Sequence, residues 1–99
     1  MIINKYNYKD FLTDNGEILY CYDIGVTEIK YLPDSLIVLY THNNNLTSLP
    51  ELPDSLIELY CKANDLPIQG DYYSKKEISE FKHNLNQHEL ITNILDKIW

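Results

Sequence analysis

Between Leu32 and Leu66 the apolar and polar positions recur at a fixed interval. Leu32, Leu36, Ile37, Leu39, Tyr40 and Leu46 return twenty residues later as Leu52, Leu56, Ile57, Leu59, Tyr60 and Leu66. Pro33, Asp34, Ser35 and Asn44 return at the same offset as Pro53, Asp54, Ser55 and Asn64. A period of this length marks stacked units, each one turn of the chain, and it outranks any local helix or strand pattern. Within the units, Leu39-Tyr40-Thr41 and Leu59-Tyr60-Cys61 alternate with period two, which predicts short strands whose alternate residues face inward. Strands one unit apart are predicted to run parallel. The connecting segment SLPELPDS (48–55) contains two prolines and cannot be a regular helix. An extended, polyproline-like return is predicted for it.

The period extends upstream. Leu19-Tyr20 lies twenty residues before Leu39-Tyr40, and Val26-Thr27-Glu28-Ile29 before Leu46-Thr47-Ser48-Leu49. Residues 16–31 are therefore a degenerate first copy, with Gly16 where Leu36 and Leu56 stand and Ile24 where Asn44 and Asn64 stand. Terminal units are commonly atypical in this way. The predicted organisation is an N-terminal cap over 1–15, units over 16–35, 36–55 and 56–68, and a C-terminal helical cap over 69–99. In the first cap, Asn7 is placed to cap a short helix over Tyr8 to Thr13, ended by a turn at Asp14-Asn15-Gly16. In the last, Ser74-x-x-Glu77 reads as a capping box ahead of Ile78, Phe81 and Leu85. Asn86-x-x-Glu89 reads as a second one, ahead of Leu90, Ile91, Ile94, Leu95 and Ile98. The two apolar stripes are out of phase, so a break is predicted near Asn84–Asn86, and Trp99 is expected to pack on the last unit.

Each unit carries L-x-x-L-x-(Thr/Cys)-x-x-N-x-L, filled by Leu36, Leu39, Thr41, Asn44 and Leu46 and again by Leu56, Leu59, Cys61, Asn64 and Leu66. This pattern resembles the leucine-rich repeat. The twenty-residue period with its LPELPDSL return resembles the short bacterial subclass, and phrases such as LPDSLIELYC and NNNLTSLPELP are more similar still to leucine-rich repeat proteins of amoeba-infecting giant viruses. The resemblance covers about residues 16–68. It implies an α/β fold: a small leucine-rich repeat solenoid with about three short parallel strands, an extended convex side and the helical C-terminal cap. It also implies that Asn44 and Asn64 bond the backbone of neighbouring turns, and that ligands meet the concave strand face. A viral origin would place the chain in host cytoplasm or virion.

Composition narrows the partners. The formal net charge is −7 and there is no arginine, which argues against nucleic acid and anionic membrane surfaces. Met1 to Asp10 has no unbroken apolar segment, so no signal peptide is read there, and no run approaches a membrane span. With Cys21 and Cys61 as the only cysteines, reduced thiols and an intracellular setting are expected. Strands two units apart would hold these cysteines about 9–10 Å from each other, too far for a disulfide.

Catalytic chemistry finds little support. Cys21-Tyr22-Asp23 spells the C-x-D of ubiquitin ligases that carry similar repeats, but Cys21 shares its repeat position with Thr41 and Cys61, an inward one where cysteine acts as a small hydrophobe. His42, His83 and His88 lack metal-pair spacing. Asp14, Asp34 and Asp54 fall in turns, where aspartate accepts local amides. No enzyme activity, cofactor or metal is expected. The outward strand positions remain. Tyr20, Tyr40 and Tyr60 should form a column, with Ile18, Val38 and Glu58 on one side and Tyr22, His42 and Lys62 on the other. The expected function is non-enzymatic protein–protein interaction through these residues, with modest affinity or a homo-oligomer that widens the face. Two alternatives are a structural or self-associating protein without a soluble ligand, and a substrate-recognition module for a ubiquitin ligase acting in trans.

Overall fold

In a computed structural model of the chain, residues 1–67 and 70–86 are described, with side chains described through Glu80. Among the described residues the fold is α/β, with two small sheets, one α-helix and one 3-10 turn. A four-stranded sheet has the order β2-β4-β5-β6, made of β2 (Ile18–Tyr20), β4 (Val38–Tyr40), β5 (Glu58–Tyr60) and β6 (Tyr72–Ser74). A two-stranded sheet pairs β1 (Ile2–Ile3) with β3 (Glu28–Ile29). Helix α1 spans Lys75–Asn86.

The twenty-residue period sets the register. β2, β4 and β5 are parallel, with Leu19 opposite Leu39 and Leu39 opposite Leu59. Those leucines are fully buried and point to one side, where they meet Val26, Leu46, Leu36, Leu52 and Leu56 in a single core. Each fully buried leucine contributes roughly 1.5–3 kcal/mol of transfer free energy, so the repeated leucines carry most of the stability of so short a chain. After each strand the chain bends through a residue with positive φ, at Asp23, Asn43 and Ala63. Aspartate and asparagine tolerate that conformation, whereas Ala63 holds it at some cost.

Three kinds of hydrogen bond join one turn to the next. Strand amides form the ladders of the sheet. Asn44 and Asn64 act inside: Asn44 Oδ1 accepts from the backbone N–H of Ile24 (3.2 Å) and Val26 (3.0 Å), while its Nδ2 donates to the carbonyls of Cys21 (2.8 Å) and Thr41 (3.0 Å). Asn64 repeats this one unit on, accepting from Leu46 N–H at 2.9 Å and donating to Thr41 O at 2.9 Å and Cys61 O at 3.2 Å. The serines of the Pro-Asp-Ser turns supply a third set that the sequence pattern did not reveal. Ser35 Oγ donates to Gly16 O at 2.7 Å, and the Ser55 hydroxyl lies between Asp34 O (2.7 Å) and Leu36 O (2.6 Å). The degenerate position at Gly16 follows from its backbone: its φ is +76°, where Leu36 and Leu56 have no positive φ, and a Cβ there would also crowd Ser35 Oγ at 2.9 Å, so a leucine would be strained in its place.

The ends of the sheet depart from the expectation of three parallel strands. The sheet is mixed: β6 pairs antiparallel with β5, placing Tyr72 opposite Tyr60 and Ser74 opposite Glu58. Residues assigned to a helical cap thus begin as a strand, and the helix starts only at Lys75. The link 61–71 is shorter than the link 41–57 that brings the chain back into parallel register between β4 and β5, and a shorter link suits antiparallel pairing. Gly70 is needed there, since a Cβ would fall 2.6 Å from the Tyr73 hydroxyl. The glutamate half of the capping box forms, with Ser74 N–H donating to Glu77 Oε1 at 3.2 Å, while the Ser74 hydroxyl turns to the same oxygen at 3.1 Å; Ile78 is buried beneath it. Helix α1 is regular through Asn84–Asn86, where a break was predicted. The second capping box with Leu90, Ile91, Ile94, Leu95 and Ile98, and also His88 and Trp99, lie outside the described residues.

At the other end, the predicted helix over Tyr8 to Thr13 is a single 3-10 turn, Tyr8–Phe11, and Asn7 does not cap it. Asn7 instead donates to Ile2 O at 2.9 Å and accepts from Asn4 N–H at 2.8 Å, which closes the loop after β1. Leu12 bridges antiparallel to Leu19, and Thr13 N–H donates to Ile18 O at 2.9 Å. Both ends of the parallel array are therefore covered by a reversed segment that occupies the unpaired strand edge. β1 does the same service for the return side of the first unit, with Ile3 opposite Ile29 and fully buried. The return segment 48–53 has no regular secondary structure.

Candidate functional site

With leucine inward, the odd-even alternation of each strand turns its neighbours to the face opposite the core. Tyr20, Tyr40 and Tyr60 stand in register on that face. Their rings stack face to face: Tyr20 and Tyr40 lie 5.1 Å apart at 3°, and Tyr40 and Tyr60 lie 4.6 Å apart at 10°. The spacing is that of the strands beneath. Beside them Tyr22 stacks on His42 at 4.6 Å and 7°, and His42 meets the edge of Tyr40 at 6.4 Å.

The antiparallel strand adds a fourth ring. Tyr72 lies 4.9 Å from Tyr60, tilted by 48°. Sequence reading missed it because Tyr72 lies outside the twenty-residue period. The signal was the alternation of Tyr72-Tyr73-Ser74 just before the capping box, with Tyr73 buried and Tyr72 exposed. Glu58 joins these two rings. Its Oε1 accepts from Tyr60 Oη at 3.4 Å and from Tyr72 Oη at 3.2 Å. Burial first, and the Glu58 carboxylate second, raise both phenols above their ordinary pKa, so both remain neutral donors to the carboxylate. Lys62 reaches Asp71 at 3.9 Å, an exposed pair worth little in itself.

Of the residues expected to form the site, Tyr20, Tyr22, Tyr40, His42, Glu58, Tyr60 and Lys62 share this face with at least partial exposure. Val38 does not present itself in the same way. It is only 8% exposed and offers little contact surface.

The remaining candidates resolve as structural. Cys21 and Cys61 are free thiols and both are buried. Burial pushes each thiol up to about 11 from a reference of 9.0; the Thr41 hydroxyl partly offsets this at Cys21, and Asp71 adds to it at Cys61. A thiol in that state carries almost no thiolate at neutral pH and is a poor nucleophile. Alkylation at pH 8 is expected to leave Cys21 unlabelled in the folded protein and to label it after unfolding, as peptide mass spectrometry would read. The folded thiols bind their protons more tightly than the unfolded chain does. Their contribution is therefore complete below about pH 9 and is lost as pH rises toward 11. Thermal midpoints should fall across that interval.

Pro33 O and Pro53 O accept from Leu36 N–H and Leu56 N–H at 3.2 and 3.1 Å, which fixes Asp34 and Asp54 in turns. Among the described residues no three His, Cys, Asp or Glu side chains converge to hold a metal ion, and no helix is long and apolar enough to cross a membrane. No protein-family model, curated protein or solved structure matches the chain.

Proposed function

We propose that the protein is a small leucine-rich repeat solenoid that serves as a protein-interaction module, and that a partner docks on the tyrosine column. The in-register stack of Tyr20, Tyr40 and Tyr60 carries this reading. Stacked cross-strand rings also stabilise the sheet beneath them. Here five tyrosines, a histidine and a carboxylate gather on one face. Stacking fixes the rings in advance, so a partner that covers them loses little side-chain entropy, and each phenol keeps a polar tip for hydrogen bonding. The mechanism is burial of aromatic surface on a rigid scaffold, with the flanking Tyr22, His42, Glu58 and Lys62 setting specificity. Three strands make a modest face, and modest affinity is expected.

Two triple variants test this reading. With serine at positions 20, 40 and 60, proteins captured by the wild type should be lost while circular dichroism still reports a folded chain. Each aromatic pair is worth about 0.5–1.5 kcal/mol, so the serine protein will melt earlier. With phenylalanine at the same positions the stack is kept and the hydroxyls are removed, and capture should weaken rather than vanish. A folded serine variant that captures the same proteins as wild type would sink the proposal.

A further inference from the structure

We propose that the partner presents an arginine in an extended segment, with its guanidinium seated on Glu58 against Tyr60 and Tyr72. This inference rests on the reading of the tyrosine face as an interaction surface and assigns the partner's chemistry.

Glu58 differs from the other groups on that face. Its carboxylate is half-buried, and two phenols hold it in place through the same oxygen, Oε1. Among the described residues, no cation lies within ion-pair distance of it, and Lys62, the lysine in the neighbouring column, is drawn to Asp71. The face therefore carries one fixed negative charge without a counter-ion, at the end where the ring stack opens. Tyr60 and Tyr72 are tilted by 48°, against 3° and 10° elsewhere in the column, so their faces no longer cover one another fully. A guanidinium suits this corner better than an ammonium. It is planar, it can bond a carboxylate with two N–H groups at once, and it stacks on tyrosine.

The whole molecule favours the same partner. Its net charge of −7 attracts basic segments and speeds their encounter. A second copy of this chain would bring a like charge and a second Glu58 to the contact. Dimensions agree as well. Four strands at about 4.8 Å spacing set the outer columns about 14 Å apart, a span that about five extended residues cover.

The test uses the capped peptide acetyl-Ser-Gly-Arg-Gly-Ser-amide, titrated into the full chain and followed through tyrosine ring resonances by NMR. Saturable shifts at Tyr60 and Tyr72 are expected, weaker when lysine replaces the arginine and absent when the uncharged isostere citrulline does. Glu58→Gln keeps a carbonyl acceptor for both phenols and removes the charge, so its amide spectrum should stay folded while affinity falls about fivefold or more. Equal affinity in Glu58→Gln, shifts confined to the turns at Asp34 and Asp54, or concentration-dependent shifts of the same rings without peptide would each overturn the proposal, the last by pointing to a second copy. If captured proteins depend on the tyrosines while the peptide fails to bind, the interaction reading stands and only the arginine is wrong. If the peptide binds but capture ignores the tyrosines, the broader reading is the one that falls.

Discussion

Asn44→Leu is expected to destabilise the protein by about 3–5 kcal/mol, much of the total for a domain of this size. The amide is buried and makes four short contacts, two to N–H groups and two to carbonyls, on three segments of chain. Leucine matches its size and nothing else. Val26 N–H would lose its acceptor in a site that water cannot reach, since Val26 is fully buried. The carbonyls of Cys21 and Thr41 would lose their donor. Each buried orphan costs about 1–3 kcal/mol. Ile24 is exposed, so its amide can turn to solvent and contributes less. Asn64→Leu supplies the comparison. That side chain is only half-buried and serves one N–H and two carbonyls near the end of the array, so about 1–3 kcal/mol is expected. Urea midpoints at constant m-value read the difference. If Asn64→Leu proved the more damaging, the buried amide at position 44 would not be the tie between turns that the geometry describes.

The same amides show why part of the fold was legible in the sequence. A residue that must meet the equivalent backbone one turn earlier has to recur at the period of the turn, so Asn44 and Asn64 appear together with the leucines they sit among. Ile24 stands in their place in the first unit, where the preceding segment is the non-repeating cap. Leu19, Leu39 and Leu59, and the tyrosines beside them, were legible for the same reason. What closes the stack is not repeated. β6 and the bridge at Leu12 pair through backbone groups, which any side chain can supply, so the twenty-residue period does not mark them. Tyr72 was missed on that account, although its ring completes the column. Val38 shares the register of the outward column but is buried, which strand alternation alone does not reveal. The Ser35 and Ser55 contacts recurred in plain sight, but a serine in a Pro-Asp-Ser turn reads equally well as a local turn former.

Leu39→Ala is expected to cost about 3–5 kcal/mol, near the upper end for removing a buried leucine. Leu39 is fully buried in the central parallel strand, with Leu19 opposite on one side and Leu59 on the other. Both neighbouring strands are held by their own ladders and outer contacts, so the site cannot collapse onto the gap, and an uncollapsed cavity adds its own cost. Leu66→Ala is the control. Leu66 is 7% exposed at the last unit and has a stacked unit on one side only, so about 2–3 kcal/mol is expected. In a stack held by nearest-neighbour contacts, loss at the centre weakens two interfaces at once and loss at the edge weakens one. With so few units, neither half is large enough to stand alone. Near-ultraviolet circular dichroism from the tyrosine column and far-ultraviolet signal from the backbone should therefore disappear at one shared midpoint in Leu39→Ala. A variant that lost the tyrosine signal first, with the backbone signal persisting to higher denaturant, would show that the aromatic face melts apart from the core. The column would then be no rigid scaffold for a partner, and the mechanism proposed for the face would have to give way to one in which binding orders it.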